Sequence, residues 1–338
     1  MIIQNNGVYS IGNVTGNYDK LPLGTYRLRF NERAGEFYLV RIEDFELPSK
    51  LYGDFSICDR IINTFNNTSR NLGVLLTGEK GSGKTITAKK VCMNANLPVI
   101  IIDENFDQIE LISFLADPSI GSCVILIDEF EKVYCCRGCD STIILQLLDG
   151  ASNSHHLFIL TCNKTQDVND YLLNRPSRIF YRKEYDSVPE EVIEEIIECE
   201  LLNKEFKSEV YEVLNKFTTI TYDILMSFLR EVNLYNESPL ECAKLMNFVP
   251  ETMYIESIQI FEDGTSVDAT DDTWFSHKMT NLEVKDRTKA RETGDDNDWV
   301  YLNLPIKDLV RIDRNSWEYK KNGRHFLIKK QNFKSLLF

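Results

Sequence analysis

The sequence predicts an α/β protein built around a parallel β-sheet, with a helical segment after the sheet and β-rich segments at both ends. Two observations support this class. Between residues 72 and 185, short apolar runs of strand length alternate with helical stretches, which is typical of a parallel sheet covered by helices on both faces. The first of these runs, Val74–Leu76, leads directly into a glycine-rich octapeptide that is followed by a helical stretch.

That octapeptide, Gly78-Glu79-Lys80-Gly81-Ser82-Gly83-Lys84-Thr85, fills every required position of a phosphate-binding loop (P-loop). Its glycines allow the backbone to curl so that successive N–H groups point at phosphate oxygens, and the following helix adds the positive end of its dipole. Lys84 is expected to reach the β- and γ-phosphates of a nucleotide, and the Thr85 hydroxyl to bind Mg²⁺. The alternative is a glycine-rich turn before an ordinary helix. The predicted nucleotide-binding residues are Gly78, Glu79, Lys80, Gly81, Ser82, Gly83, Lys84, Thr85 and Ile86.

Composition places the chain among ordinary globular proteins. Its 338 residues, of which 43% are apolar and 27% charged, are enough for two or three domains. No run approaches the ~18 apolar residues of a membrane span, and residues 1–6 lack a basic segment followed by an apolar one, so we expect an untargeted cytoplasmic protein with no membrane partner. Nine cysteines, an odd number, suit free thiols in a reducing compartment. A net charge of -14 argues against a generally basic nucleic-acid-binding surface, although a local basic patch stays open.

Residues 1–48 are predicted to form a small β-rich N-terminal domain. Residues 25–30 alternate polar and apolar side chains, residues 31–35 favour a turn, and residues 36–42 return as a second strand, which indicates a hairpin. A linker follows from Leu47 to Asp54, and Asp54 is placed to cap a helix that runs to about Thr64.

Five strands are predicted for the parallel sheet, and they determine where its polar residues lie. Ligands of such sheets bind at the carboxyl ends of the strands. The predicted strands are Val74–Thr77, Val99–Ile102, Val124–Ile127, Leu157–Thr161 and Ile179–Arg182.

The third strand ends in the acidic pair Asp128-Glu129. Two carboxylates at the end of a buried strand carry a desolvation cost in free energy unless they bind a cation or a water molecule. Asp128 suits a contact to Mg²⁺, direct or through water, and Glu129 suits polarisation of the attacking water. The alternative is a solvated cap for the helix that begins at Phe130. After the fourth strand, Asn163 supplies a neutral amide that could orient a water near the γ-phosphate.

The segment Arg175-Pro176-Ser177-Arg178 precedes the fifth strand and carries two arginines. We expect both to lie near the carboxyl edge of the sheet. Taken alone, they are better explained as solvent-facing arginines of a turn.

Four motifs, in this order and spacing, resemble those of the AAA+ ATPases over about residues 50–247. They are the loop Gly78–Thr85, the strand and acidic pair Ile125–Glu129, the segment Leu160–Asn163, and Leu173–Ile179 with its Arg-x-x-Arg element. The last is similar to the arginine fingers of the classical AAA branch, which act on the nucleotide of the neighbouring subunit. The segment from Leu47 to Ile179 is also similar to small AAA ATPases encoded by tailed bacteriophages.

The resemblance implies a P-loop NTPase sheet as the AAA+ large domain, residues 49–185, and an α-helical lid, residues 186–249. It also implies ATP and Mg²⁺ as cofactors, hydrolysis of ATP to ADP and phosphate, and a homo-oligomeric ring, usually a hexamer. The implied catalytic residues are Lys84, Glu129, Asn163, Arg175 and Arg178, the implied metal ligands are Thr85 and Asp128, and further implied nucleotide contacts are Tyr52 and Gly53.

Residues 186–247 change to a helical pattern that contains 14 acidic and 5 basic residues. Helices are predicted from Pro189 onwards, around residues 210–217, and over residues 222–234. The family's second-sensor arginine has no counterpart, because Thr221-Tyr222-Asp223 stands where classical AAA members carry a Gly-Ala-Asp-like turn. This difference supports the classical branch.

Residues 250–338 are predicted to form a β-rich C-terminal interaction domain. Strands are predicted at residues 253–261, 299–302 and 325–328, the last after the turn Lys321-Asn322-Gly323. Residues 251–300 carry 13 acidic and 5 basic side chains, whereas residues 301–338 carry 9 basic and 3 acidic ones. Such asymmetry indicates an interaction module, or a surface of two signs that pairs with itself.

Two further signals each have a competing explanation. The segment Cys135-Cys136-Arg137-Gly138-Cys139 contains a Cys-x-x-Cys pair, but a structural zinc site needs four ligands, and the more economical interpretation is a loop that faces the pore of a ring. Phe106 falls where many family members place an aromatic residue that grips a threaded polypeptide, although the surrounding basic-aromatic-aliphatic-glycine pattern is absent. The alternative for Phe106 is a packed core residue.

The sequence therefore predicts an ATP-driven ring that remodels, threads or disassembles a protein partner, with the terminal domains selecting that partner. The alternative is a nucleic-acid-associated AAA+ ATPase, such as a replication, packaging or phage-assembly accessory factor. The basic final segment favours this alternative, and the net negative charge counts against it. A nucleotide-locked scaffold is disfavoured because Lys84, Asp128, Glu129 and both arginines are all present.

Overall fold

The computed structural model describes residues 2–5, 8–11, 18–135, 139–150, 155–163, 175–185, 187–214, 219–246, 253–262, 265–269, 274–275, 281–286, 300–305, 308–313, 316–321 and 323–330. The chain divides into two units, the first comprising Met1–Ser187 and Thr221–Asp223, and the second Val188–Ile220 and Ile224–Phe338.

A seven-stranded sheet forms the centre of the first unit. An antiparallel pair, β1 (Ile2–Asn5) and β2 (Val8–Ile11), precedes it in the chain. The strands of the large sheet are β3 (Thr25–Asn31), β4 (Glu36–Ile42), β5 (Leu72–Gly78), β6 (Val99–Ile101), β7 (Val124–Ile127), β8 (Leu157–Cys162) and β9 (Tyr181–Tyr185). Their order is β4-β3-β6-β7-β8-β5-β9, and every neighbouring pair except β3 and β4 is parallel. The predicted α/β class with a parallel sheet is confirmed.

Side chains of the parallel strands alternate between two hydrophobic clusters, one on each face of the sheet. Leu75, Ile125 and Phe158 belong to the first cluster, whereas Val74 and Leu126 belong to the second. Burial on both faces explains why each strand is a continuous apolar run in the sequence. Helices α3 (Glu110–Leu115), α4 (Phe130–Tyr134) and α5 (Thr142–Leu148) contribute to the first cluster, and α1 (Ser56–Asn66) and α2 (Lys84–Asn94) to the second.

The predicted N-terminal hairpin is present, and it extends the large sheet instead of forming a sheet of its own. Residues 25–27 of β3 pair in parallel with Val99–Ile101 of β6. Leu28 and Phe37 pack in the same cluster as the parallel strands. The alternating pattern identified the hairpin, but its pairing with β6 is long-range and leaves no local signal. The predicted boundary at residue 48 therefore does not separate two sheets.

The fifth parallel strand begins two residues later than predicted, and this changes the position of the arginines. The Arg175 carbonyl accepts hydrogen bonds from the N–H groups of Arg178 (2.9 Å) and Ile179 (3.1 Å), so these residues form a turn. Tyr181 then pairs with Val74, and Tyr185 with Gly78 at the carboxyl end of β5. The expectation that Arg175 and Arg178 lie near the carboxyl edge was wrong. They precede a strand that is parallel to β5, and so they lie at the amino ends of the strands.

Phe106 lies in the core of the first unit. It is 4% exposed, and its ring centroid lies 5.3 Å from that of Phe37 in an edge-to-face contact. At the start of the same segment, the Arg29 guanidinium donates a hydrogen bond to Asp103 (2.7 Å). These contacts support the packed-core interpretation of Phe106 over a role in gripping a polypeptide.

The cysteine-rich segment is described only at its ends. Cys135 is partly buried, and Cys58, Cys92 and Cys123 elsewhere in the first unit are buried free thiols. Cys139 is disulfide-bonded, so the expectation of free thiols throughout does not hold there; it rested on an odd total, which says nothing about a particular cysteine. Residues 136–138 lie outside the described residues. In the described ranges, no group of three or more His, Cys, Asp or Glu side chains is arranged to hold a metal ion.

The second unit contains helices followed by antiparallel strands. Its helical region comprises α6 (Glu190–Glu200), a 3₁₀ turn (Lys204–Phe206), α7 (Lys207–Leu214), α8 (Tyr222–Tyr235, whose first two residues belong to the first unit) and α9 (Pro239–Leu245). The strands are β10 (Met253–Glu262), β11 (Thr265–Asp268), β12 (Trp274–Phe275), β13 (Asn281–Asp286), β14 (Val300–Pro305), β15 (Val310–Asp313), β16 (Ser316–Lys321) and β17 (Arg324–Lys330).

These strands form two antiparallel sheets around one hydrophobic cluster. One sheet has the order β11-β10-β17-β16-β15 with β12 also paired to β10, and the other is the pair β13-β14. Ile258, Trp317 and Phe326 from the larger sheet and Leu282 from the pair contribute to the cluster. Among the helices of the described residues, none is long and apolar enough to cross a lipid bilayer.

Replacing Phe37 with Ala should lower the free energy of unfolding by about 3–5 kcal/mol, because it removes a buried ring from the junction of the hairpin and the sheet. The Phe37 ring contacts those of Phe30, Phe106 and Phe114. Tyr38, its neighbour on β4, is 47% exposed, and Tyr38→Ala should change that free energy by about 0.5 kcal/mol or less. Urea unfolding followed by circular dichroism measures both. A wild-type midpoint for Phe37→Ala would show that the hairpin does not stabilise the sheet.

Candidate active site

The loop between β5 and α2 has the backbone shape that phosphate binding requires. Gly83, directly before α2, has a φ of 100°, and Gly78, which ends β5, has a φ of 141°. Residues with side chains rarely adopt these conformations. A Cβ added to Gly78 would also lie 2.0 Å from the carbonyl oxygen of Tyr185. The octapeptide therefore curls from a buried strand into the N-terminus of a helix, where backbone N–H groups favour an anion.

Lys84 and Ser82 test whether the loop fits an anion. The Lys84 Nζ donates hydrogen bonds to the carbonyl oxygens of Gly78 (2.6 Å) and Glu79 (2.8 Å), both of which are neutral. Burial lowers the pKa of Lys84, and the charges of Glu131 and Asp128 oppose that shift. Within the described residues, the buried Ser82 hydroxyl has no hydrogen-bond partner. A bound phosphate would bring negative charge to Lys84 and polar atoms to the Ser82 hydroxyl, so the loop fits a nucleotide.

Asp128 is held by hydroxyl groups from two other elements. Thr161 of β8 donates a hydrogen bond to Asp128 Oδ1 (2.5 Å), and Thr85 of α2 donates to the same oxygen (3.3 Å). These bonds bring together the predicted metal ligands Thr85 and Asp128. Mg²⁺ is commonly bound by one or two carboxylates together with phosphate oxygens and water. The hydroxyl of Thr85 and the carboxylate of Asp128 therefore fit a magnesium ion that also contacts a bound nucleotide.

Glu129 is fixed in both backbone and side chain. It has a φ of 53°, an uncommon left-handed conformation, and its N–H donates to the Thr161 hydroxyl oxygen (2.8 Å). Its carboxylate accepts hydrogen bonds from the Lys132 ammonium and from Asn163 Nδ2 (3.1 Å). The bond from Lys132, with a smaller contribution from Asn163, lowers the pKa of Glu129. Glu129 is therefore ionised at neutral pH, the state in which it can polarise a water molecule.

Asn163 is oriented by a second glutamate, Glu131. The backbone N–H of Asn163 (3.2 Å) and its Nδ2 (2.6 Å) both donate to Glu131 Oε1. The same Nδ2 also donates a hydrogen bond to Glu129. Glu131 therefore positions the Asn163 side chain, and the Asn163 side chain positions the Glu129 carboxylate. Asn163 and Glu129 are thus brought together as predicted.

The segment Thr221–Asp223 lies against the phosphate-binding loop. The Tyr222 hydroxyl donates to the Tyr52 carbonyl (3.0 Å) and would lie 2.5 Å from a Cβ added to Gly53. The Tyr222 ring would lie 3.4 Å from a Cβ added to Gly83. Tyr222 therefore contacts both the Tyr52-Gly53 segment and the phosphate-binding loop, and this places Tyr52 and Gly53 near the loop.

The two arginines differ from each other in their surroundings. Arg178 is 8% exposed and donates from Nε to Asp149 Oδ1 (2.6 Å) and from Nη2 to Oδ2 (2.5 Å). The hydrogen bond from Arg178 lowers the pKa of Asp149, and the charge of Arg175 adds to the shift. Arg175 is exposed. Because both arginines precede β9, the fold does not bring them to Lys84 and Glu129 of the same chain.

Three residues of this network were not predicted as site residues: Thr161, Glu131 and Tyr222. A period-2 signal could have identified Thr161, because it lies in β8 two positions before Asn163, the residue that directly follows this strand, and alternate residues of an extended chain point to the same side. Glu131 lies two positions after Glu129, the second residue of the acidic pair, and only Phe130 separates them. Tyr222 comes from a distant segment, and nothing local indicates its contact with the loop.

Lys84→Ala and Glu129→Gln should have different effects on nucleotide turnover. Lys84→Ala removes the loop cation and should weaken nucleotide binding. Glu129→Gln keeps the loop intact and should bind ATP normally while lowering kcat by about 10²–10⁴-fold, because only polarisation of the water is lost. Titration with a fluorescent ATP analogue and phosphate release measure the two effects. Glu110→Gln, at an exposed position of α3, is the matched control. Wild-type turnover in Glu129→Gln would remove Glu129 from catalysis.

Glu131→Ala should lower kcat by about tenfold or more without changing the Kd for ATP, because hydrogen bonds to a charged group are worth about 1.5–3 kcal/mol. If Glu131 acts through Asn163, the double variant with Asn163→Ala should be no slower than Asn163→Ala alone. Steady-state turnover of the two single variants and the double variant tests this coupling. Multiplicative losses would show that Glu131 acts independently of the amide.

Comparisons with known proteins find similarity to AAA ATPases. The model of the family described as "ATPase family associated with various cellular activities (AAA)" matches residues 74–184. The ATP-dependent zinc metalloprotease FtsH of Acholeplasma laidlawii (strain PG-8A) is 29% identical over 256 residues, which cover 68% of this chain and 37% of that protein. The mitochondrial inner membrane m-AAA protease component AFG3L1 of Mus musculus is 24% identical over 209 residues, which cover 54% of this chain and 24% of that protein. The chain thus spans well under half the length of these relatives.

A similar solved structure is the RuvB Holliday junction branch migration motor of Thermotoga maritima. It has a TM-score of 0.42 and 13% identity, covering 59% of this chain and 72% of that chain, a likeness too weak to carry an argument about function. The family match is more informative about function. It runs from β5 to β9 and contains the phosphate-binding loop, the acidic pair, Asn163 and both arginines. Residues 74–184 therefore form an AAA ATPase domain, the kind of domain that binds and hydrolyses ATP.

Proposed function

We propose that this protein acts as a ring of identical subunits in which each subunit completes the ATP site of its neighbour. The ring would use ATP hydrolysis to remodel, thread or disassemble a protein partner. The observation that carries the proposal is the distance between two sets of charges in one subunit. Gly78 of the loop pairs with Tyr185 at the end of β9, whereas Arg178 precedes that strand. At about 3.3 Å per residue, the arginine turn lies on the order of 20 Å from its own loop.

Within one subunit, nucleotide binding and activation of the attacking water would be the tasks of the loop and of the residues at the strand ends. Lys84 and the loop N–H groups would bind the β- and γ-phosphates. Thr85 and Asp128 would hold Mg²⁺, which when bound neutralises negative charge on the phosphate oxygens. Glu129, kept ionised by Lys132 and oriented by Asn163, would position the attacking water and polarise it.

The arginine turn would complete the site from outside. A cation near the γ-phosphate of the next subunit stabilises charge that develops in the transition state, an effect worth ~10³–10⁵ in rate. A shared site requires an oligomer, and proteins of the AAA family are usually oligomeric. A homo-hexamer is the ring expected from the family resemblance.

The relatives support a protein partner. FtsH is named as an ATP-dependent protease, and AFG3L1 as a component of an m-AAA protease. The sequence of this chain contains no His-Glu-x-x-His motif of zinc proteases, so the proposal covers the ATP-driven step and not peptide-bond cleavage. The terminal segments, residues 1–48 and 250–338, would select the partner, and the hairpin of the first segment also forms part of the large sheet. A phage origin and a location in the host-cell cytoplasm stay predictions from the resemblance.

A nucleic-acid-associated ATPase is the second candidate. One observation favours it, the nine basic and three acidic residues between positions 301 and 338. The net charge of -14 opposes it, because phosphate backbones are bound by clustered Lys and Arg side chains.

The ATP-loaded Glu129→Gln ring should hold its partner longest, because it keeps nucleotide binding and loses turnover. We expect it to sediment as a multiple of the 39.2 kDa chain and to bind labelled unfolded casein more tightly than Lys84→Ala does. Fluorescence anisotropy with casein and with single- and double-stranded DNA, at about 50 and 200 mM salt, separates the two candidates. Nucleic-acid binding that falls steeply with salt, without casein binding, would favour the second candidate. A monomer with full ATPase activity would contradict the ring.

A further inference from the structure

Arg178 is bound within its own chain at the amino edge of the sheet. Its guanidinium forms two parallel hydrogen bonds with Asp149, from Nε to Oδ1 (2.6 Å) and from Nη2 to Oδ2 (2.5 Å). The Arg178 side chain is 9% exposed and that of Asp149 36%. Paired, charge-assisted bonds of this kind fix geometry as well as charge. Arg178 could reach a nucleotide on a neighbouring subunit only if its hydrogen bonds to Asp149 were broken.

The backbone around Arg178 is also held in place. The N–H of Phe180 donates to the Gly73 carbonyl of β5 (2.8 Å), and a Cβ added to Gly73 would lie 1.8 Å from the Arg178 carbonyl oxygen. Gly73 therefore allows the arginine turn to pack directly on the strand that leads into the phosphate-binding loop.

Asp149 is itself fixed by the end of α5. The Asn71 side chain donates to the Leu147 carbonyl (2.8 Å) and accepts from the His156 N–H (2.8 Å). Asp149 follows Leu148, the last residue of α5. The carboxylate that binds Arg178 is thus attached to a helix end that is tied to the amino ends of β5 and β8.

Arg175 stands in a different position. It is exposed, and its carbonyl accepts the N–H groups of Arg178 (2.9 Å) and Ile179 (3.1 Å). The turn therefore links an exposed arginine directly to an anchored one. Any shift of Arg178 would be passed through these backbone bonds to Arg175.

We propose that Asp149 is a positioning residue for the shared ATP site: it anchors Arg178, and the anchored turn presents Arg175 to the nucleotide of the neighbouring subunit. The inference rests on the proposed ring. Arg175 and Arg178, for which the sequence predicts the same role, then have different roles. Arg175 is the cation that stabilises the transition state, and the Asp149–Arg178 pair holds it at the required place.

Asp149→Asn should lower kcat by about 10–100-fold and leave the Kd for ATP unchanged, because displacement of a catalytic group by about 1 Å can cost 10²-fold. Arg175→Ala should lower kcat by a larger factor than Asp149→Asn does. The double variant Asp149→Asn with Arg178→Gln should have the same kcat as Arg178→Gln alone, since both substitutions remove the same Asp149–Arg178 contact. Asp140→Asn is the matched control, because Asp140 precedes the other end of α5 and its Oδ1 accepts the Thr142 N–H (2.7 Å), a bond that Asn can also accept.

Mixed rings provide the readout that a general loss of stability would not change. Lys84→Ala subunits have a defective loop but an intact arginine turn. When mixed with Asp149→Asn subunits, they should restore turnover at the intact loops of those subunits, as they should for Arg175→Ala. Native mass spectrometry establishes that mixed rings have formed, and phosphate release measures the recovery.

The outcomes separate the inference from the proposed function. Absence of recovery for Arg175→Ala in proven mixed rings would overturn the shared site itself. Recovery for Arg175→Ala but not for Asp149→Asn, or wild-type kcat in Asp149→Asn, would overturn the positioning role alone. If Asp149→Asn does not assemble, Arg178→Lys tests the same point, because Lys keeps the charge and loses the two-pronged contact. A loss in Arg178→Lys that equals or exceeds that of Arg175→Ala would identify Arg178 as the presented cation and contradict the inference.

Discussion

The parallel pairing of β5 with β8 on one side and β9 on the other is the constraint on which the rest of the first unit depends. All three strands run in one direction, so groups that follow β5 and β8 reach one edge of the sheet, and groups that precede β9 reach the opposite edge. The nucleotide loop and Asn163 occupy the first edge, and the arginine turn occupies the second. This separation is the observation on which the proposed site between two subunits rests.

At the carboxyl edge, charged groups are kept in place by hydrogen bonds that cross from strand to strand. Thr161 of β8 contacts both residues of the acidic pair that follows β7, and Asn163 contacts Glu129 from the same side. Each carboxylate has a defined partner, so ionisation is compatible with partial burial. Preorganised charges of this kind need little rearrangement when a nucleotide binds, which is the property that electrostatic catalysis requires.

The N-terminal hairpin shows how a segment outside the family match becomes part of the ATPase core. The match begins at residue 74, yet β3 continues the sheet beyond β6, and Phe37 covers the ring of Phe106. Arg29 adds an ion pair to Asp103, two residues after the end of β6. The segment that follows β6 is therefore packed and paired, and it differs in this respect from an exposed loop that could grip a polypeptide.

By itself, the sequence determined the α/β class, the five predicted strands of the parallel sheet to within a few residues, the phosphate-binding loop, and the placing of Asp128, Glu129 and Asn163 at strand ends. These features are local: apolar runs, glycines at required positions, and polar residues directly after a strand. Only the tertiary structure decided that the hairpin joins β6, that the arginines lie at the amino edge, and that Asp149, Glu131 and Tyr222 contact site residues. Those facts depend on strand direction and on contacts between distant segments, and neither leaves a local pattern in the sequence. Arg175 and Arg178 illustrate the difference, because one motif contains both arginines and only their surroundings distinguish an exposed cation from an anchored one.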